Sequence, residues 1–171
     1  MQKSVLRVRY LQKLKGGDKL SLVLHLPLTG NLNNQGLDGE ATTVTTTNAS
    51  FVNDGKIGKC LKLGYSNNII IPSLIGSKQL SLAYWCRVDE ATATNWLDPI
   101  HFYSSKADGT DLCTSRQEFF TNCTNVGFWF KGGSITIYSA PVVVGEWNHY
   151  AFTIDYDAGV AVFYINGIKV G

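Results

Sequence analysis

The chain has 171 residues, 44% of them hydrophobic and 12% aromatic, which suits one domain with a real core and excludes intrinsic disorder. Only 16% is charged while Thr, Ser, Asn and Gly abound, a composition that fits an all-β fold with polar loops and not a helical bundle. Lys3, Arg7, Arg9, Lys13 and Lys15 fill an acid-free start, so taking these five charges from the net +2 leaves −3 for the rest, which is no basic nucleic-acid surface.

Leu6, Val8 and Tyr10 alternate with Arg7 and Arg9, the pattern of a half-buried strand. The same start lacks the uninterrupted apolar core and small-residue cleavage site of a secretory peptide, which points to synthesis in a cytoplasm. No apolar run is long enough to span a membrane as a helix, and no membrane partner is expected. Lys15-Gly16-Gly17-Asp18 reads as a flexible joint. It divides a basic N-terminal segment, residues 1–17, strand-like or a docking arm, from a main domain, residues 18–171.

That domain opens with the clearest strand in the chain: Leu20, Leu22, Leu24, Leu26 and Leu28 share one face, and Pro27 marks its end or an edge. A turn-rich loop follows from Thr29 to Gly36. Ile69–Ile71 and Leu80–Val88 read as strands, the second with Leu82, Tyr84, Cys86 and Val88 on one side and Trp85 and Arg87 on the other. Ile100–Tyr103 is a short strand, and Ser104–Asn125 reads as a long insert. Val126–Phe130 and Ser134–Tyr138 form a hairpin around Lys131-Gly132-Gly133. The chain closes with a meander: His149–Ile154, a break at Asp155–Gly159, Val160–Ile165, then Asn166-Gly167, the strongest short hairpin signal because a type I′ turn needs two positive φ angles. Many short strands with frequent turns predict an all-β antiparallel sandwich. Its core should take in Leu22, Leu24, Leu26, Leu82, Tyr84, Trp147, Phe152, Ile154, Phe163 and Ile165. Cys60 and Cys86 lie in apolar runs and are expected as buried thiols; Cys113 and Cys123 lie in a polar loop and are the only pair that could meet, with reduced thiols the default in a cytoplasm.

The order Gly145-Glu146-Trp147-Asn148-His149-Tyr150, a strand ending in Asp, then Phe163-Tyr164-Ile165-Asn166-Gly167 resembles the laminin-G-like jelly rolls of the concanavalin A-like lectin/glucanase superfamily. Gly55–Leu63 resembles a second signature of that family. His25–Gly39, with Leu28, Gly30, Leu32 and Asn34 in a Leu-x-Gly-x-Leu-x-Asn pattern, resembles the opening of such domains in structural proteins of tailed phages from gut bacteria. The resemblance implies a virion protein made in a bacterial host, homo-oligomeric or particle-associated, whose N-terminal segment contacts other virion subunits. The resemblance implies a few more strands past Asn-Gly, whereas this chain stops four residues after Gly167, so the expectation is either a domain truncated at its C-terminal end or another segment filling the gap. Ser4–Leu11 resembles the family's closing strand and is expected to pair with a sheet edge, of its own domain or of a neighbouring subunit.

Catalysis has little support. The glucanases of this group carry Glu-x-Asp-x-x-Glu, and here Glu40, Glu90, Glu118 and Glu146 are scattered in loop-like contexts. His25, His101 and His149 read as framework residues, and no nucleophile–base pair stands out, so a non-enzyme is expected. The family often holds Ca²⁺ at its rim through loop oxygens, for which Asp155 with Asp157, Asn53 with Asp54, or Asp108 with Asp111 are candidates; turn stabilisation is the competing reading. Sugars present apolar ring faces and hydroxyl edges, so aromatic platforms beside amides and carboxylates suit them. Tyr65, Asn95, Trp96, Asp98, Phe119 and Phe120 form that candidate set, against the alternative that Trp96 and Phe119 close the ends of the core. The expected function is a non-catalytic, glycan-contacting decoration module of a phage or prophage virion protein. The alternatives are a purely structural assembly domain and an accessory carbohydrate-binding domain of a bacterial enzyme.

Overall fold

Period-2 alternation, read along the chain, becomes fourteen strands and no helix among the described residues of a computed structural model. Those residues are 8–13, 20–26, 28, 30–33, 35, 45–46, 49–56, 58–63, 69–71, 79–89, 97–105, 111–119, 125–130, 134–139, 143–155 and 158–171. The strands are β1 (Val8–Lys13), β2 (Leu20–Leu26), β3 (Thr45–Thr46), β4 (Ser50–Gly55), β5 (Gly58–Lys62), β6 (Ile69–Ile71) and β7 (Gln79–Arg87). There follow β8 (Leu97–Ser105), β9 (Asp111–Phe119), β10 (Asn125–Phe130), β11 (Ser134–Ser139), β12 (Trp147–Asp155), β13 (Val160–Ile165) and β14 (Ile168–Lys169). One sheet has the order β14-β13-β12-β7-β1-β2 and the other β11-β10-β9-β8-β6-β3, with β4–β5 a separate hairpin. The chain passes back and forth between the sheets, the wiring of an antiparallel β-sandwich. One ladder departs from the antiparallel rule: β6 runs parallel to β8, because the connection between them crosses through β7 in the opposite sheet.

The core lies on one face of the first sheet. Leu82, Tyr84 and Cys86 of β7 and Val88 just after it are buried, as are Asn148, Tyr150 and Phe152 of β12 and Phe163 of β13. Tyr150 stacks on Phe163 with centroids 6.3 Å apart, Tyr84 lies 5.7 Å from Tyr150, and Phe152 meets Tyr84 edge-on at 6.4 Å. Such pairs add about 0.5–1.5 kcal/mol each beyond area burial. Leu26, Leu28, Cys60, Leu61, Leu63 and Ile69 are buried as well. Cys60 and Cys86 carry thiols and are not in disulfides. Cys123 lies outside the described residues, as does the side chain of Cys113. Leu28 holds φ at +56°, a costly angle for a branched side chain, and its complete burial offsets that cost.

Several expectations need correction. Trp147 is half-buried rather than in the core: Asn148, Tyr150 and Phe152 point inward, so strand parity sends Trp147 to the other face. Ile165 is also half-buried, at the end of its ladder beside the turn. Leu22, Leu24 and Ile154 belong to strands, but their side chains are outside the described set. Ser104–Asn125 is no insert. Its residues Asp111–Phe119 form β9, hydrogen-bonded to β8 on one side and β10 on the other, and this double pairing overrides the weak strand propensity of a polar run. Glu118 is therefore a strand residue and not a loop one. β8 begins at Leu97, earlier than alternation suggests, and passes Pro99 through a register shift between Leu97 and Ile100, where the missing N–H does no harm.

The N-terminal strand, Val8–Lys13, sits inside the first sheet, antiparallel to β2 and to β7, so among the described residues the sheet edges are β2 and β14. The β1–β2 hairpin joins β7 as a unit, leaving its second strand outermost.

Candidate functional site

Strand directions in the second sheet decide which loops meet. Leu97, where β8 starts, is the register partner of Phe119, where β9 ends. Phe119 is in turn opposite Val126 near the start of β10, and Val126 is opposite Tyr138 near the end of β11. The parallel pairing of Ile69 with Ile100 puts the entry of β6 at the same end. Of the six glycan candidates, Asp98 and Phe119 are on strands at that end. Asp98 lies within the β8 register shift and Phe119 closes β9. Asn95 and Trp96 immediately precede β8, Phe120 immediately follows β9, and Tyr65 is on the segment leading into β6. Tyr65, Asn95, Trp96 and Phe120 themselves lie outside the described residues, as do the side chains of Asp98 and Phe119. Phe119, read from sequence as a loop aromatic, is in a strand.

The first sheet contributes a charged cluster on its outward face. Trp147 is the register partner of Arg87 and His149 that of Trp85, giving a two-by-two patch. The guanidinium carbon of Arg87 lies 4.9 Å from the centroid of the Trp147 ring. Arg87 Nη2 donates to Asp54 Oδ2 and Arg87 Nε to Asp89 Oδ1, both at 2.7 Å. The hydrogen bond to Asp54, then that to Asp89, raises the Arg87 pKa against the opposing effect of burial, so it is a permanent cation. With side-chain exposures of 14% and 18%, the Arg87–Asp89 pair is screened less than the Arg87–Asp54 pair, whose carboxylate is 48% exposed. Lys56 Nζ sits 5.1 Å over Trp85, and the His149 ring meets Trp85 edge-on at 5.2 Å. Burial lowers the His149 pKa, which favours the neutral imidazole.

The cation candidates divide. Asp54 is placed beside Arg87 by the β4 register shift between Val52 and Gly55, while Asn53 is exposed on the same bulge. Asp155 Oδ1 accepts from Ala158 N at 2.9 Å and so caps the β12–β13 turn. Asp155 is the register partner of Gln79 and Asp54 contacts Arg87, at opposite ends of β7, a separation of about 26 Å at 3.3 Å per residue. These carboxylates cannot share an ion. Asp108 and Asp157 lie outside the described residues, as does the side chain of Asp111. Among the described residues, no three His, Cys, Asp or Glu side chains are grouped to hold a metal.

The Asn-Gly turn has a structural task. Asn166 (φ +50°) and Gly167 (φ +81°) form the β13–β14 turn, and Asn166 closes on β12. His149 N donates to Asn166 Oδ1 at 2.8 Å, Asn166 N to His149 O at 2.7 Å, and Asn166 Nδ2 to the buried Asn148 Oδ1 at 2.8 Å. The Asn166 side-chain oxygen thus stands in for a ladder carbonyl where the backbone turns away. Sequence reasoning found this turn but missed the Arg87 cluster, whose partners are 33 residues apart for Asp54 and on the unexpected face for Trp147.

Comparison with known proteins gives one family: residues 63–171 match the model described as the concanavalin A-like lectin/glucanases superfamily, of laminin-G type. No curated protein and no solved structure is matched by the chain. That superfamily is compatible with carbohydrate binding. The match spans well over half of the 171 residues, in a chain that folds as an all-β sandwich, and the protein belongs to the concanavalin A-like lectin/glucanase superfamily as a laminin-G-like domain.

Proposed function

We propose that this domain is a non-catalytic glycan-binding module that uses the end of the second sheet where β6 and β8 begin and β9 ends. The observation that supports this reading is topological. Leu97, where β8 starts, is the register partner of Phe119, where β9 ends, so Asp98 and Phe119 of the candidate set belong to one end of the second sheet. Sugar recognition combines aromatic rings for ring faces with amide or carboxylate groups for hydroxyls, and the candidate set supplies both residue types. The finer setting is a phage or prophage virion protein made in a bacterial cytoplasm and displayed on the particle. This rests on the resemblance of His25–Gly39 to domains of that kind. Contact with other virion subunits falls to the basic N-terminal segment. Because β1 is hydrogen-bonded on both sides within its own sheet, that part of the segment engages a partner through side chains and not by strand addition.

A glycan array probed with the purified domain, paired with labelling of the domain on intact source particles in the electron microscope, tests both levels. Cell-wall glycan binding with symmetric labelling is expected. Labelling without glycan binding makes the domain a structural assembly module, and binding without particle labelling removes the virion setting.

A further inference from the structure

The root and the tip of the β4–β5 hairpin are held by different physics. At the root, Cys60, Leu61 and Leu63 are buried. At the tip, Asn53, Asp54, Lys56, Gly58 and Lys59 are exposed. Gly55 makes the bend, since a Cβ there would lie 2.5 Å from Gly58 O and 2.8 Å from Lys59 O. The tip reaches the outer face of the first sheet through two charged groups. Arg87 Nη2 meets Asp54 Oδ2 at 2.7 Å, and Lys56 Nζ lies 5.1 Å from the centroid of the Trp85 ring. Asp54 and Lys56 are two residues apart, as are Arg87 and Trp85, so the tip lies along β7 in the opposite sense. Both contacts reach solvent: the Asp54 side chain is 48% exposed and Lys56 is exposed. Charged contacts of this kind weaken as salt screens them. The apolar root feels no such effect.

The sheet side of these contacts stands without the hairpin. Arg87 Nε also bonds Asp89 at 2.7 Å, a less exposed pair, and the guanidinium lies 4.9 Å from the Trp147 ring centroid. A planar guanidinium with separated donors keeps these partners when Asp54 leaves. Trp85 belongs to the β7–β12 ladder and packs on His149. The tip is therefore the part that moves. We infer that the hairpin tip carrying Asp54 and Lys56 is a charge-held strap that covers the Trp85 ring and lifts as ionic strength rises. Closed, it places the Lys56 ammonium on the indole face. Open, it leaves that face uncovered beside the His149 ring, so anything binding this surface competes with Lys56. The strap lies on the first sheet and does not depend on the glycan reading, which concerns the second.

The test is proton–carbon NMR of the whole chain, following the Lys56 methylenes next to Nζ, which the nearby indole ring shifts upfield. Trp85→Leu supplies the value without a ring. The unmodified protein in low salt is expected to show the upfield shift. In 1 M sodium chloride, where charges act over about 3 Å, it should move toward the Trp85→Leu value. Asp54→Ala in low salt should move it the same way, through an open-to-closed ratio raised about threefold. The ring signals of buried Tyr150 and Phe163 are expected to stay in place throughout. Absence of the upfield shift in the unmodified protein overturns the strap. A shift that withstands either the salt or Asp54→Ala also overturns it, as does movement of the Tyr150 and Phe163 signals in step with that of Lys56.

Discussion

Replacing Asn166 separates backbone strain from hydrogen bonding. Its φ of +50° is tolerated by Asn but costs Ala about 1 kcal/mol. Its side chain accepts from His149 N and donates to Asn148 Oδ1, and Asn148 is only 7% exposed. Each bond contributes about 1 kcal/mol net, and an orphaned buried partner adds to the loss. Asn166→Ala should therefore destabilise by about 3 kcal/mol, and Asn166→Gly, which is free of strain, by about 2 kcal/mol. Urea unfolding followed by tryptophan fluorescence reads this as midpoint losses of about 1.5 M and about 1 M for a slope near 2 kcal/mol per molar. Equal losses for the two variants would refute the strain component. A loss below about 0.5 kcal/mol for Ala would refute the clamp itself.

Three further outcomes follow from the core and the turns. Tyr84 Oη is buried with no hydrogen-bond partner among the described residues, and burial first, then Cys86 and Tyr150, raises its pKa. Tyr84→Phe should stabilise by about 1 kcal/mol in the same assay; a loss of that size would mean the hydroxyl is satisfied. His149 has a depressed pKa when folded, so its neutral form is favoured and the unfolded chain takes up a proton first. Stability should hold above the unfolded pKa of about 6.5 and decline as pH falls from there to the folded pKa, a slope that His149→Gln should lessen. Asp155→Ala should cost about 1 kcal/mol through the lost Ala158 bond, measured by thermal melting, and an unchanged melting temperature would remove its capping role.

Much of the fold was legible because one-sided burial imposes a period of two. The alternation Leu82, Tyr84, Cys86, Val88 against Trp85 and Arg87 reappears in the structure as inside and outside. The final meander and its Asn-Gly turn follow from backbone chemistry that only a few residues satisfy. β9 was hidden because Asp111–Phe119 is mostly polar, and a strand paired on both sides is specified by its neighbours. Trp147 was misplaced because a large apolar residue invites burial, while the parity set by Asn148 and Tyr150 sends it outward. Of the candidate site, residue types were readable, whereas the place of Asp98 and Phe119 at one end of the second sheet was not, since it depends on the long-range β8–β9 register. The link from Arg87 to Asp54 depends on a bulge that no local pattern announces.

The most direct test of a glycan-binding end on the second sheet is a titration with soluble bacterial cell-wall oligosaccharides, followed by tryptophan fluorescence in the unmodified protein and in Trp96→Ala. Saturable binding that Trp96→Ala weakens about tenfold or more, with its melting temperature retained, is the expected result for an aromatic anchor. Equal binding by the two proteins would contradict the assignment of this site. Absence of binding by the unmodified protein would contradict the glycan-binding function.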